Sequence, residues 1–274
     1  MISTTQNLPV RESSSRLARI GRSPLAWLAV GLLGVGGPSA LAAAGPVPAL
    51  VGAGLALLAY WAVMRFVARR PTPEIAVRGA GRDLRLGAGI GAAFLLVSVA
   101  VIAIAGGYRF TLHGAVGAGA LPGLVAVAVA GALTEELLFR GLVLQAVEQL
   151  RGPRTALVVS ALLFGLIHLA NPGATPWSSV AIAIEAGGLM GAAFLWRRSI
   201  WLVTALHATW NGLEQLIGIP VSGHVDPSVL VTITHGPALL TGGGFGLEAS
   251  IVPVVVSLVL IVALLRRARS SASA

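Results

Sequence analysis

Three apolar segments of this sequence contain residues four positions apart, a spacing that places two side chains on one face of a helix. These residues are Glu136 and Arg140 with Glu135 beside them, Phe164 and His168, and His207 and Asn211. An ionisable side chain inside a bilayer is costly and therefore marks a candidate functional site. A carboxylate and a neutral imidazole can share a water and make it nucleophilic. An imidazole and a carboxamide can donate hydrogen bonds to an oxyanion. Together these side chains suit peptide hydrolysis within a membrane.

The two adjacent glutamates cannot serve one site equally, because neighbouring residues on a helix differ by about 100° in direction. Glu136 lies four residues before Arg140, so the two share a face and neutralise each other. Glu135 is left as the unpaired carboxylate that is free to face a cavity. The alternative is that all three residues form a buried ion-pair cluster that fixes helix packing. For Glu136 and Arg140, that alternative has as much support as a chemical role.

The candidate residues are predicted to lie at similar depths. Counted from the arginines that end each segment, at about 1.5 Å per residue, Glu135, His168 and Asn211 lie roughly 20–24 Å from one membrane face. His207 lies one helical turn closer to that face, at roughly 14 Å. We therefore expect the four side chains to converge on one intramembrane pocket.

Two further carboxylates, Glu185 and Glu214, also lie in apolar segments. Glu214 follows His207 by seven residues and falls on roughly the same helix face. Each either lines the pocket or makes a packed polar contact. The sequence has no His-Glu-x-x-His helix and no Gly-x-Ser-x-Gly turn. Its aspartates, Asp83 and Asp226, both lie in connections, which excludes an intramembrane aspartyl dyad.

Composition indicates a protein solvated by lipid. The 274 residues are 56% hydrophobic and only 11% charged, against about 25% charged in a soluble domain. All 19 basic residues are arginine, and the net charge is +9. The bias toward Arg, Ala and Gly is typical of a GC-rich genome, and no basic stripe with aromatics indicates a nucleic-acid partner. The absence of cysteine excludes disulfides, thiolate metal sites and a cysteine nucleophile.

Hydrophobic runs predict an all-α, polytopic transmembrane helix bundle with about eight spanning helices, since about 20 apolar residues cross a bilayer. The predicted segments are 24–45, 46–67, 86–107, 121–148, 155–171, 177–196, 199–218 and 248–265. Residues 1–23 are predicted to be a disordered cytoplasmic tail and 268–274 a second cytoplasmic tail. The transmembrane protease domain is predicted to cover residues 24–267, with a motif core at 120–215.

Arginine placement predicts the orientation. Arginines cluster at the two ends of the chain and in alternate connections, whereas the remaining connections hold only Arg109. The positive-inside rule then predicts a multi-pass protein of the plasma membrane, bacterial by composition, with both termini in the cytoplasm. Residues 38–42 also resemble a signal-peptidase site, and cleavage there would leave seven spans in the same orientation. The 219–246 connection is predicted to be an external loop in which His224 and His235 are exposed rather than ligands.

The three motifs resemble those of the CPBP family of intramembrane proteases, the CAAX protease and bacteriocin-processing (Abi) proteins. That family has Glu-Glu-x-x-x-Arg, then Phe-x-x-x-His, then His-x-x-x-Asn or Asp, on successive core helices. The chain matches every motif position, and the resemblance covers roughly residues 120–215. It implies an intramembrane endopeptidase that acts on a peptide or membrane-protein substrate.

The resemblance also implies roles for individual residues. Glu135 and His168 would activate the water, and His207 and Asn211 would form the oxyanion hole. The supporting residues would be Glu136, Arg140 and Phe164.

Two alternatives remain open at this point. Glu135, His168 and His207 are also residue types that bind zinc with an open water position. The resemblance to the eukaryotic prenyl-protein endopeptidase branch favours a mechanism without a metal or other cofactor. The second alternative concerns function: a non-catalytic membrane scaffold or immunity-type partner would use the same polar cluster structurally.

Overall fold

Eight long helices form the body of the protein in the computed structural model, which describes residues 23–112 and 118–272. In chain order they are α1 (Pro24–Ala44), α2 (Pro46–Val67), α3 (Ala80–Ile104), α4 (Leu121–Arg151), α5 (Pro153–Ala170), α6 (Pro176–Arg197), α7 (Ile200–Leu216) and α8 (Ile251–Ala272). The predicted tail at residues 1–23 lies outside the described residues, apart from Ser23.

Seven of the described helices are long and apolar enough to cross a membrane. The predicted fold class, an all-α polytopic bundle, is therefore confirmed. Helix α7 has 17 residues, about 25 Å of helix, and is shorter than the roughly 20 residues that usually span a bilayer. Its role as an eighth span stays a prediction.

Helices α3 and α7 pack side by side and run in the same direction. A Cβ atom built on Gly87 would lie 2.1 Å from the Leu202 carbonyl oxygen, and one built on Gly91 would lie 2.4 Å from that of Leu206. Only glycine permits such backbone contact, and small residues are the usual means of close helix packing in lipid. Since α7 carries His207 and Asn211, this contact fixes the height of the third motif.

Helices α5 and α6 pack closely in opposite directions. Gly165 on α5 lies against the Ser179 carbonyl oxygen, and Gly187 on α6 lies against the backbone of Ala161. These close contacts between the backbones of α5 and α6 fix the position of α5, which carries the second motif.

One end of the bundle, here called the arginine-rich end, gathers the connections after α2, α4 and α6 together with the last turns of α8. Arg197 pairs with Asp83 at 2.7 Å, and Arg198 pairs with Glu148. The Arg267 guanidinium lies 5.5 Å from the Trp196 ring centre. These contacts join α3, α4, α6 and α8 at a single level.

The opposite end contains a two-stranded antiparallel sheet of β1 (Tyr108–Leu112) and β2 (Leu230–Thr234). Short helical turns follow at Ala238–Thr241 and Leu247–Ala249. Residues 219–246 were predicted simply as a loop. Residues 231–234 read Val-Thr-Ile-Thr, which favours a strand, but the pairing strand lies far earlier in the chain and a local pattern does not indicate it.

Several helix ends differ from the predicted segments. Helix α3 begins at Ala80 rather than 86, because the charged turn containing Arg82 and Asp83 continues the helix beyond the apolar run. Helix α8 ends at Ala272 rather than 265 and thus includes part of the segment predicted as a tail. Hydropathy detects the apolar part of a helix and does not detect its polar ends. The helices also contain wider π-helical turns at Val63–Val67, Leu137–Leu144 and Ala183–Leu189.

We expect Gly91→Ala to lower the stability of the detergent-solubilised protein, because the added methyl meets the Leu206 carbonyl. Overpacking of this kind costs about 1–3 kcal/mol. Gly89 is the matched control, since a Cβ atom built there would meet no side chain and no atom of another helix within 4 Å. Gly89→Ala should leave the unfolding temperature unchanged or slightly higher, because alanine favours helix. Equal unfolding temperatures for the two variants would contradict the α3–α7 contact.

Candidate active site

Arg140 lies at the centre of a buried polar cluster. Helix α4 changes from α to π geometry after Glu136, and Arg140 lies within the π segment. The Arg140 guanidinium donates to Glu136 Oε1 at 3.0 Å, and neither side chain is exposed to solvent. It also donates to the backbone carbonyl oxygens of Ala186 and Gly187 on α6. Its two terminal nitrogens thus donate only to protein oxygens, which ties α4 to α6, while Nε has no partner among the described residues.

Phe164 extends this cluster to α5. The Arg140 guanidinium carbon lies 4.9 Å from the centre of the Phe164 ring, which places the cation against an aromatic side chain. The Phe164 ring also packs against Phe139 and stacks on the His168 imidazole at a 4.7 Å centroid distance. Phe164 therefore positions both the cation and the second-motif histidine.

Glu136 has a second partner that the sequence motifs did not predict. His207 Nδ1 on α7 lies 2.9 Å from the same Oε1 atom that accepts from Arg140. A carboxylate paired with arginine accepts hydrogen bonds, so Nδ1 of His207 carries the proton. Glu136 therefore pairs with Arg140, as predicted, and also orients His207.

His168 has a defined tautomer. Its Nδ1 atom lies 2.7 Å from the backbone carbonyl oxygen of Phe164, which can only accept. Nδ1 is then the donor, and in the neutral imidazole Nε2 keeps its lone pair. His168 begins the short 3-10 turn at the end of α5, so its side chain projects from the final turn of that helix. An Nε2 lone pair in this position suits a group that accepts a proton from water.

One cavity of about 360 Å³ brings the four predicted catalytic residues together. Glu135, His168, His207 and Asn211 all line it. Glu135 is half-buried, and its Oε2 atom is buried without a hydrogen-bond partner among the described residues. The carboxylate predicted to be unpaired thus lines the cavity, whereas Glu136 lies behind it. The four side chains come from three helices, so helix packing alone creates the arrangement.

His207 and Asn211 differ as hydrogen-bond donors. Because Nδ1 of His207 already donates to Glu136, Nε2 can donate to an oxyanion only when the ring is an imidazolium. The Asn211 carboxamide offers N–H groups in every protonation state. The two side chains are therefore donors of different kinds: donation from His207 Nε2 requires protonation of the ring, whereas donation from Asn211 does not.

The other two carboxylates of the apolar segments lie outside the cavity lining, and Glu214 makes the packed polar contact that was the second option considered for it. Glu214 does not line the cavity; it accepts from Trp210 Nε1 and from the Leu247 backbone N–H, both at 2.9 Å. It therefore anchors the turn that precedes α8. Glu185 is fully buried and also lies outside the cavity lining, with no hydrogen-bond partner for either oxygen among the described residues.

Several cavity residues lie in the connection between α7 and α8 and were not predicted from the sequence. Glu248 lines the cavity and accepts from the backbone and hydroxyl of Ser222, at 3.1 and 3.0 Å. Burial raises the pKa of the Glu248 carboxyl, although the hydrogen bonds from Ser222 act in the opposite direction. His224, predicted to be an exposed loop residue rather than a ligand, is exposed, and it also lines the cavity, together with Asp226. Glu248 lies next to an apolar segment, as a carboxylate at the end of a helix would. No local sequence pattern distinguishes a residue that caps a helix end from one that lines a cavity.

The predicted zinc set does not form a ligand cluster. Among the described residues, no three His, Asp or Glu side chains lie close enough together to hold a metal ion. His168 and His207 each use Nδ1 in a hydrogen bond within the protein, which leaves Nε2 of each ring as the atom that could bind a metal. Because no group of three such ligands occurs among the described residues, the residues as placed do not form a three-ligand zinc site.

A carboxylate, imidazoles and a carboxamide thus surround one cavity in a bundle of apolar helices. Residues 117–213, about a third of the chain, match the family model described as type II CAAX prenyl endopeptidase Rce1-like. The match contains all three motifs and supports assignment of this multi-pass membrane protein to the CPBP, or CAAX protease, family. It also supports a CAAX-protease-like function in the membrane. No curated protein and no solved structure matches the chain.

We expect Glu136→Gln to destabilise the protein strongly, because it leaves the buried charge of Arg140 without its partner. Breaking a buried ion pair costs about 3–5 kcal/mol. Glu148→Gln is the control, since its partner Arg198 is half exposed and such pairs contribute only about 0–1 kcal/mol. Unfolding of both variants in detergent would measure the difference. A loss in Glu136→Gln no larger than that in Glu148→Gln would show that the buried pair is not what holds α4 in place.

Proposed function

We propose that this chain is an intramembrane endopeptidase in which Glu135 and His168 activate the hydrolytic water. The observation that carries the proposal is the single cavity lined by Glu135, His168, His207 and Asn211. Glu135 lines the cavity and is only half-buried, and His168 Nε2 keeps a lone pair, so the carboxylate and the imidazole can both accept hydrogen bonds from one water in the cavity.

In the proposed reaction, the Glu135 carboxylate takes a proton from the water as the oxygen attacks the peptide carbonyl carbon. The carbonyl oxygen becomes an oxyanion, which accepts hydrogen bonds from Asn211 and from protonated His207. The tetrahedral intermediate then collapses, the C–N bond breaks, and the proton held by Glu135 passes to the leaving amine. The products are a carboxylate and an amine, and Glu135 returns to its ionised form.

Glu136, Arg140 and Phe164 act in this proposal as positioning residues. Glu136 holds His207 through Nδ1, and Arg140 pairs with the same oxygen of Glu136. Phe164 stacks on His168 and lies against Arg140. No step passes through a metal.

The alternative function, a non-catalytic scaffold, has less support from the geometry of Glu135. A carboxylate used only for structure would be expected to have its partners within the protein, as Glu136 has Arg140 and His207 at Oε1. Glu135 instead lines the cavity, and its Oε2 atom has no partner among the described residues. Its place on the cavity wall, which Glu136 and Glu185 do not share, favours a role in chemistry.

We expect Glu135→Gln to abolish proteolysis while leaving the fold intact, because the amide has the same shape but cannot accept a proton. The substrate can be found by comparing protein N termini in membranes from cells that express wild type or variant. Peptides that begin at new N termini should occur with wild type and be absent with Glu135→Gln. Glu148→Gln, at the arginine-rich end, should retain the wild-type pattern. Unchanged cleavage in Glu135→Gln would refute the catalytic role and favour the scaffold.

We also expect catalysis without a stoichiometric metal. The purified protein should contain less than one zinc per chain by elemental analysis. Cleavage of the substrate should survive prolonged dialysis against a strong chelator. Loss of activity on chelation, restored by added zinc, would overturn the metal-free mechanism and favour the zinc alternative.

A further inference from the structure

The cavity reaches the end of the bundle opposite the arginine-rich end, where its lining residues His224 and Asp226 are exposed, and we call this part of the cavity the mouth. Its lining includes Gln215 in the last turn of α7 and residues from the connections at that end: Asn171, Val221, Ser222, His224 and Asp226. The Asn171 side chain donates to the Ser222 carbonyl oxygen, and the Gly223 N–H donates to that of Phe245. The same end carries the sheet of β1 and β2. The mouth is therefore built from one continuous set of connections.

The reactive groups lie near this end as well. His168 is in the last turn of α5, and Asn211 is within the last two turns of α7. Both helices begin at the arginine-rich end, next to Arg154 and Arg198 respectively. A peptide that enters through the mouth reaches both side chains without passing through the bundle.

The two ends of the bundle differ sharply in charge. The arginine-rich end holds most of the arginines of the described residues: Arg65, Arg69, Arg70, Arg78, Arg82, Arg85, Arg151, Arg154, Arg197, Arg198, Arg266, Arg267 and Arg269. Its carboxylates are Glu74, Asp83 and Glu148. Among the described residues of the mouth end, Arg109 is the only arginine, whereas Asp226 and Glu248 line the mouth itself. Connections rich in arginine stay in the cytoplasm during membrane insertion.

We infer that the cavity opens on the non-cytoplasmic side of the membrane, and that its substrate is a peptide segment exposed there. Such a segment belongs to an exported polypeptide or to the extracytoplasmic part of a membrane protein. The existence of a substrate rests on the proposed function, whereas the orientation of the cavity does not. The inferred orientation rests on two independent observations: the arginine content of the connections at each end of the bundle, and the identity of the connections that form the mouth.

Cysteine labelling tests the orientation directly, because the chain contains no cysteine and every label comes from the introduced residue. Val225→Cys places a thiol between His224 and Asp226 at the mouth, and Val77→Cys places one at the arginine-rich end. The two valines are matched in exposure, at 81% and 83%. A membrane-impermeant maleimide is added to intact cells and, in parallel, to permeabilised cells. The labelled fraction after permeabilisation shows that each thiol is accessible in the protein.

We expect Val225→Cys to be labelled equally in intact and permeabilised cells, and Val77→Cys to be labelled only after permeabilisation. The reverse pattern would place the mouth in the cytoplasm and overturn the inference. Labelling of both variants, or of neither, in intact cells would also overturn it, since the protein would then lack the single orientation inferred.

The same labelling in a Glu135→Gln background separates this inference from the proposed function. Orientation does not depend on catalysis, so the labelling pattern should be unchanged. If Val225→Cys is labelled from outside but Glu135→Gln still cleaves, the catalytic proposal fails and the orientation stands. If Glu135→Gln is inactive but the labelling is reversed, the proposed protease function is supported, the inferred orientation fails, and the substrates lie in the cytoplasm.

Discussion

The site depends on one carboxylate oxygen. Glu136 Oε1 accepts from Arg140 and from His207, so a single atom connects the first motif to the third. Arg140 in turn binds carbonyl oxygens of α6 and lies against Phe164 of α5. Four helices are thus held around a buried charge pair, and an ion pair of this kind is costly to break. The neighbouring residue, Glu135, lies on the cavity wall, and its Oε2 atom has no hydrogen-bond partner among the described residues.

Much of this architecture is predictable from sequence. Apolar runs predicted the helices, and i, i+4 spacing predicted the Glu136–Arg140 pair and the different direction of Glu135. The count of residues from the arginines predicted similar depths for His168 and Asn211, which line one cavity. These features were accessible because helical geometry is regular and because a charge inside an apolar segment is conspicuous.

Other features required the structure. The contact between Glu136 and His207 joins helices that are far apart in sequence, so no spacing rule indicates it. The partnership of Glu214 with Trp210 and the Leu247 backbone was missed for a similar reason, since half of it is a backbone group in a distant turn. The mouth residues lie in an irregular connection whose path follows from tertiary packing. Hydropathy also misplaced the ends of α3 and α8, where charged residues continue a helix beyond its apolar part.

The π-helical turns in α4 and α6 have a consequence for how the chain can vary. Leu137–Leu144 contains Arg140, and Ala183–Leu189 contains both carbonyl groups that Arg140 binds. A π turn takes up more residues than an α turn, so loss of one residue there would return the segment to α geometry and change the directions of the side chains and carbonyl groups within it. Residue deletions within these two segments would therefore disconnect the charge pair from its acceptors, even if every motif residue were kept. The length of the chain between the motifs is as much a part of the site as the motifs themselves.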